Sequence, residues 1–227
     1  MGVLIPARDE ATELPACLSA LRGALRELSP ELERRVCVVA DRCHDLTAEL
    51  ARGSGADVLV NTRDLTIGEI RALGARHLSR GLNHHTSSRT LLLSTDADTV
   101  VGRDWAVRHV RRADAGWDAV AGTANLDTEL AAMVRPRYEA LLRDARNPAG
   151  HGNVYGANLS IRASSYDAVG GFLPIRTAED HDLWRRLARA GFRLAYADEA
   201  RVTTSARLNG RAPDGLSARL RALAGTA

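Results

Sequence analysis

Short apolar runs that alternate with helical periodicities limit this chain to very few architectures. "VLIP" (Val3 to Pro6), "RVCVVA" (Arg35 to Ala40), "ADVLV" (Ala56 to Val60) and "TLLLS" (Thr90 to Ser94) are rich in Val, Leu and Ile and read as buried strands, the first ended by its proline. Between the first two, Leu14, Leu18, Leu21, Leu25 and Leu28 recur at alternating spacings of four and three, an amphipathic helix for which Thr12 is the expected N-cap, with Pro15 in the first turn. "DLTAELARGSG", "GEIRALGARHLSR" and "DWAVRHVRRADAG" supply further helices, the last before a strand "WDAVAGTA". The order βαβαβαβ predicts an α/β fold, a mostly parallel sheet with helices on both faces.

Ligands in such sheets sit beyond the carboxyl ends of the strands. Arg8, Asp9 and Glu10 follow the first strand, Asp41 and Arg42 the second, and "STDADT" places Asp96 and Asp98 after the fourth. Two carboxylates one residue apart on an extended chain point the same way and repel unless a cation lies between them. Oxygen ligands of this kind suit Mg²⁺ or Mn²⁺. The plain alternative is that one Asp caps a helix and the other is solvated.

From about Thr128 a helical stretch reaches Arg146, and "NPAGHGNVYGANLSIRASSYDAVGGFLP" then reads as irregular backbone rich in Gly and Asn, of the kind that forms functional loops. "AEDHDLWRRLARAG" is helical again, "FRLAYA" and "RVTTSA" are strand-like, and the tail "GLSARLRALAGTA" is a short helix or a fraying end without an assigned role. A single domain is expected over 1–227. With a net charge of +3 and 4% aromatic residues, the chain is no dedicated nucleic-acid binder. It has no apolar run long enough to span a membrane and no signal peptide, so it is expected to be cytoplasmic or peripheral to the membrane. Cys17, Cys37 and Cys43 lack metal or disulfide spacing and read as reduced thiols, the first two in the core. All 31 basic residues are arginine, and the absence of lysine excludes a Walker A loop and Schiff-base chemistry.

Five stretches in order resemble the family 2 inverting, nucleotide-sugar-dependent glycosyltransferases of the GT-A fold: "VLIPARDE", "VVADRCHDLTAELA", "GEIRALGA", "STDADT", and "GANLSIRASSYDAVGGF" with "AEDHDLWRRLARAGFRLAYADEARV". The resemblance implies a nucleotide-sugar-binding half at about 1–127, an acceptor and catalytic half at about 128–212 and a tail at 213–227. Pro6, Ala7, Arg8 and Glu10 would border the nucleotide, Asp41 would contact the base, and Arg71 would lie near the diphosphate. Asp98 would bind Mn²⁺ or Mg²⁺, with Asp96 on the ribose or the metal. Gly156, Asn158, Gly170, Gly171, Phe172 and Glu179 would border the sugar or acceptor, and Asp180 would be the general base. Where many relatives carry a histidine after the last block, this chain offers Ser205, Arg207 and Arg211; the two arginines are candidates for a diphosphate clamp or surface charge. No glutamine is present, so the Q-x-x-R-W motif of processive synthases is missing and transfer of one sugar is expected. The partners implied are a nucleoside diphosphate sugar and a small-molecule, lipid or glycan acceptor. Oligomeric state is not legible.

Each role has a plainer counterpart. Glu179 and Asp180 suit any helix start, Asp41 a turn, and Arg71 a solvated helix face. His151 reads as exposed, Trp184 as core, and His44, His84 and His85 have no metal-ligand spacing. "LLLSTDADTV" also fits the pattern of haloacid-dehalogenase-like phosphatases, in which the first Asp is the nucleophile, although that motif opens its domain and this one follows three strand-helix units. A non-catalytic homologue that still binds nucleotide sugars is the third reading.

Overall fold

The computed structural model describes residues 1–82, 87–208 and 216–225. An eight-stranded sheet runs through it in the order β3-β2-β1-β4-β7-β6-β8-β5. The parallel half consists of β1 (Gly2–Ala7), β2 (Arg35–Asp41), β3 (Asp57–Asn61) and β4 (Leu91–Ser94). β7 (Leu159–Arg162) lies antiparallel between β4 and β6 (Ala119–Leu126). β8 (Leu194–Thr204) pairs parallel with β6, and the short β5 (Thr99–Val101) closes the edge antiparallel to β8. The two strand-like stretches "FRLAYA" and "RVTTSA" are therefore one strand, with its register shifting opposite Gly122 and Thr123.

The helices are α1 (Leu14–Arg26), α2 (Thr47–Gly53), α3 (Ile67–Gly81), α4 (Trp105–Asp114), α5 (Arg135–Asp144), α6 (Ala163–Ala168), α7 (Glu179–Arg189) and α8 (Leu216–Ala224). β1 alternates as a doubly covered strand must: Val3 and Ile5 face the cluster of Leu14, Cys17, Leu21 and Trp105, while Leu4 faces that of Ile70, Leu78, Leu183 and Leu187. All five leucines of the α1 repeat are buried. Cys17 and Cys37 lie in opposite cores, and burial pushes both thiols up to about 12.

Several local expectations are corrected. Pro6 does not end β1, because it lies inside the ladder opposite Val39. Thr12 does not cap α1; Glu13 holds the N-cap position without a side-chain bond. The stretch 128–146 condenses to the ten residues of α5, none of them buried. Part of the Gly- and Asn-rich region is regular, forming β7 and α6.

A buried polar hub ties α4 to β6, β7 and β8. Asn158 Oδ1 accepts from Trp105 Nε1 at 2.8 Å and pairs with His109 Nε2 at 2.9 Å. Its Nδ2 donates to the carbonyls of Thr123 and Ala200, both at 2.8 Å. Ser160 Oγ meets His109 Nδ1 at 2.8 Å, and burial drives the imidazole down to about 4, so it is neutral.

Candidate functional site

The carboxyl ends of β1, β2 and β4 open onto a cleft of about 560 Å³, closed on its far side by the loop before β7, the start of α7, the end of β8 and the first turns of α8. Pro6, Ala7, Arg8, Glu10, Asp41, Arg71, Asp96, Asp98, Gly156, Glu179, Asp180 and Arg207 all line it, although they come from positions up to 201 residues apart. Three non-glycine residues adopt the left-handed backbone region around it: Asp9 (φ 51°), Arg42 (φ 49°) and Ala178 (φ 62°). Strain of this kind persists where surrounding structure fixes it, and here it turns the chain at two strand ends and at the entry to α7.

Arg71, expected near the diphosphate or on a solvated helix face, is 4% exposed and engaged on all three nitrogens. Nε donates to Glu179 Oε1 at 2.8 Å, Nη2 to Asp96 Oδ1 at 2.7 Å, and Nη1 to the Gly156 carbonyl at 3.1 Å and to Ser94 Oγ. Burial alone would pull the guanidinium pKa down, but the charges of Asp96, Glu179 and Asp180 outweigh it and hold it above the ordinary value. Burial raises the Glu179 carboxyl, with Arg71 opposing. Gly156 is required by this packing, since a Cβ there would lie 2.5 Å from Arg71 Nη2.

Asp96 and Asp98 do not share an extended strand. β4 ends at Ser94, and both lie in the turn closed by the Thr99 N–H on the Asp96 carbonyl at 3.1 Å. They take different cations. Asp96 pairs with Arg71, while Asp98 Oδ2 lies 2.8 Å from Arg207 Nη2. Arg207 also forks onto Glu10, Nη1 to Oε2 at 2.9 Å and Nη2 to Oε1 at 2.6 Å. Burial, then the neighbouring charge of Asp96, pushes the Asp98 carboxyl up to about 6 against the pull of Arg207. Glu10, Asp96 and Asp98 thus crowd negative charge that a hard divalent cation would relieve, so the donor set fits such an ion held by Asp98 and Asp96. Another acidic group, Asp9, Cys43 and Asp45, brings ligand atoms within 4.8 Å of one another. Its carboxylates already accept from the N–H groups of His44, Ala11 and Thr47, as turn and cap residues do.

Asp180 Oδ2 accepts from the Gly156 N–H at 2.6 Å and Oδ1 from the His181 N–H at 2.7 Å. It stands second in α7 behind Glu179, while Ala178 holds the N-cap position. Asp41 Oδ1 accepts from Asn61 Nδ2 at 2.7 Å, and Arg42 reaches Asp64 at 2.6 Å. In the first turn of α3 the N–H of Gly68 donates to the Ile175 carbonyl at 3.2 Å, and a Cβ on Gly68 would stand 1.9 Å from the Leu173 carbonyl.

Some expected site residues lie elsewhere. Asn158 sits in the hub behind the cleft wall, where four hydrogen bonds consume its amide. Gly170, Gly171 and Phe172 follow α6, Phe172 edge-on to Tyr166 in the core, and none lines the cleft. His151 is 4% exposed, not solvated, with Nε2 on the Ala121 carbonyl at 3.0 Å. Trp184 is core. Arg211, His84 and His85 lie outside the described residues. Other cleft residues had no sequence signal: Tyr138 on α5, Tyr155, Arg176, and Leu216, Ser217 and Arg219 from the supposed tail. Tyr138 and the α8 residues converge through the packing of α8 on α5, fixed in part by Arg137 donating to the Leu223 carbonyl at 2.8 Å. Among the described residues, no helix is long and apolar enough to cross a membrane.

A family model described as "Glycosyltransferase like family 2" matches residues 1–222. Comparison with curated protein sequences gives no match. Among solved structures, the mannosyltransferase PcManGT from Pyrobaculum calidifontis, in complex with GDP-Man and Mn²⁺, superposes with a TM-score of 0.62 at 20% identity, over 92% of this chain and 57% of that one. S. aureus TarS 1-349 in complex with UDP-GlcNAc gives 0.63 at 14% identity, over 99% of this chain and 65% of that one. The chain therefore spans somewhat under two thirds of each neighbour, and at these identities the likeness is one of fold.

Proposed function

The chain belongs to the glycosyltransferase-like family 2, and from that premise we propose that it transfers one sugar, with inversion, from a nucleoside diphosphate sugar held with Mn²⁺ or Mg²⁺ to a hydroxyl acceptor. The observation that carries this is Asp180, gripped through both oxygens by backbone N–H groups and lining the same cleft as Asp96 and Asp98. The neighbours solved with GDP-Man and with UDP-GlcNAc support a nucleotide-sugar donor.

In this reading the ends of β1 and β2, with Pro6, Ala7, Arg8 and Asp41, receive the nucleotide. Arg71 is a positioning residue that orients Asp96 and Glu179. Asp98 and Asp96 hold the divalent cation, which when bound supplies charge neutralisation at the departing diphosphate. Among the described residues Arg8, Arg176 and Arg219 line the cleft without a hydrogen bond or ion pair, and Arg8, just past the end of β1, is available to the phosphates. Asp180 keeps lone pairs on oxygens already aimed by the Gly156 and His181 amides, so it accepts the proton of the acceptor hydroxyl as that oxygen attacks the anomeric carbon from the opposite face. One displacement inverts the configuration. Residues 1–127 form the donor half and 128–212 the acceptor half, to which α8 adds a wall. Free thiols at Cys17, Cys37 and Cys43 fit a reducing, cytoplasmic compartment. A phosphatase would need Asp96 as a free nucleophile, and the 2.7 Å ion pair with Arg71 disfavours that reading.

The test is calorimetric titration with UDP, GDP and dTDP, each with Mn²⁺ and with chelator, followed by Asp180→Asn. Metal-dependent binding of one diphosphate is expected, and the variant should bind it as the parent does while transfer falls by roughly 10²- to 10⁴-fold. Transfer unchanged in Asp180→Asn removes Asp180 as base, and full donor binding without any transfer by the parent favours the non-catalytic homologue.

A further inference from the structure

We propose that Arg207 is a built-in cation that occupies the space between Glu10 and Asp98 until metal and nucleotide arrive, so that its displacement from Asp98 couples the binding of the two. The inference rests on the assignment of Asp98 as a metal ligand.

One nitrogen, Arg207 Nη2, bridges both carboxylates, at 2.6 Å from Glu10 Oε1 and 2.8 Å from Asp98 Oδ2. A divalent ion ligated by Asp98 Oδ2 would therefore meet a guanidinium nitrogen at contact distance, and two cations cannot share that position. The carboxylates are the fixed side of this contact. Glu10 is 6% exposed, its N–H donates to Thr47 Oγ1 at 2.8 Å, and its carbonyl accepts from Glu13 and Leu14 at the head of α1. Asp98 is pinned in the turn between β4 and β5. Arg207 is the movable side. It lies beyond the end of β8 at Thr204, its side chain is 29% exposed, and its N–H has the Ser205 hydroxyl at 3.3 Å.

The two contacts of Arg207 respond differently to an incoming cation. The fork onto Glu10 uses both terminal nitrogens, so the guanidinium can tilt about it and stay paired. The Asp98 contact uses one nitrogen and is lost on tilting. The hydrogen released from Asp98 then faces the cleft, where phosphate oxygens are the acceptors at hand. Metal alone must pay for an ion pair without replacing it, whereas metal with a diphosphate gives Arg207 a new anion. The two ligands therefore bind with positive coupling, of a size typical for linked sites, about 5- to 150-fold.

Free Mn²⁺ measured by electron paramagnetic resonance, with and without the diphosphate selected by calorimetry, tests this. The parent should bind Mn²⁺ weakly alone and about tenfold or more tightly with nucleotide. Arg207→Met should bind Mn²⁺ alone more tightly than the parent and lose part of the nucleotide enhancement, the remainder coming from direct neutralisation of the diphosphate by the ion. Arg207→Lys, which keeps a cation but cannot fork Glu10 and bridge Asp98 together, should fall between and guards against a folding defect in the first variant. An unchanged or weaker Mn²⁺ affinity in both variants overturns the exchange and leaves the proposed activity standing. Asp98→Asn separates the two ideas, since Mn²⁺ binding that survives it overturns the metal-site assignment itself.

Discussion

Replacing Arg71 by methionine keeps an unbranched apolar stem and deletes the charge at the centre of the cleft wall. The cost follows from what each partner then faces. Glu179, 7% exposed at its side chain, is left as a buried carboxylate without a counter-charge, while Asp96, 35% exposed, is reached by water and contributes little. Ser94 Oγ retains the Gly156 carbonyl at 2.7 Å and is not orphaned. Removing one member of a buried pair costs about 3–5 kcal/mol, and with Asp96 discounted the expectation is about 3 kcal/mol at neutral pH. For a chain of this length that lowers Tm by roughly 10 °C. The penalty has a sign in pH. Burial already holds the folded Glu179 pKa above its unfolded value, and losing Arg71 raises it further, so the folded state binds that proton more tightly than the unfolded one. The destabilisation is thus smallest at acid pH and grows as pH climbs from the ordinary carboxylate range through the raised value. Urea unfolding of the parent, Arg71→Met, Glu179→Gln and the double variant, at about pH 5 and pH 8, measures both size and slope. The double variant should cost less than the two single losses summed. A deficit below about 1 kcal/mol, or one independent of pH, refutes a charge-paired Glu179.

Gly156→Ala forces a Cβ to within 2.5 Å of a guanidinium that cannot retreat; overpacking of about 1–3 kcal/mol should appear in thermal melts together with weaker diphosphate binding. Asn158→Leu strands the Trp105 and His109 donors and two carbonyls, and should cost about 4 kcal/mol in urea unfolding without placing any new group in the cleft; a loss under about 1 kcal/mol would mean water replaces the amide. His109 has a folded pKa of about 4, below its unfolded value. Its contribution is complete above the unfolded pKa and is lost as pH falls through the window down to about 4, amounting to about 3 kcal/mol, and His109→Gln should flatten that part of the acid-stability profile.

What the sequence made legible follows from local physics. The α1 leucines and the runs in β1, β2 and β4 are each set by their own periodicity, and the polar residues that follow the strands fell at the cleft because strand ends converge there in any such sheet. β5 and β7 were not legible: three and four residues long, they are strands only because β8 and β4 supply their ladder partners. Arg71 looked like a solvated helix residue since nothing nearby in sequence shows that Glu179, 108 positions away, lies against it. His151 misled in the same manner: a polar residue in a glycine-rich stretch, the usual sign of an exposed loop, it is buried and bonded to the backbone of β6. Asn158, which the resemblance set near the sugar or acceptor, is held instead by α4, β6 and β8. The role of α8 depends on tertiary packing against α5, which no periodicity within nine residues can announce.

The seat of Gly68 against the Leu173 and Ile175 carbonyls joins the helix that carries Arg71 to the strap that leads into Asp180. These two pieces are far apart in the chain but fit together as one part. A loop exchange meant to give the protein a new acceptor, if it replaces residues 173–178 alone, would set a foreign backbone against a surface cut to receive only the present one. Transplanting that strap together with the first turn of α3 would keep the fit, so the smallest portable cassette for redesigning this cleft is discontinuous.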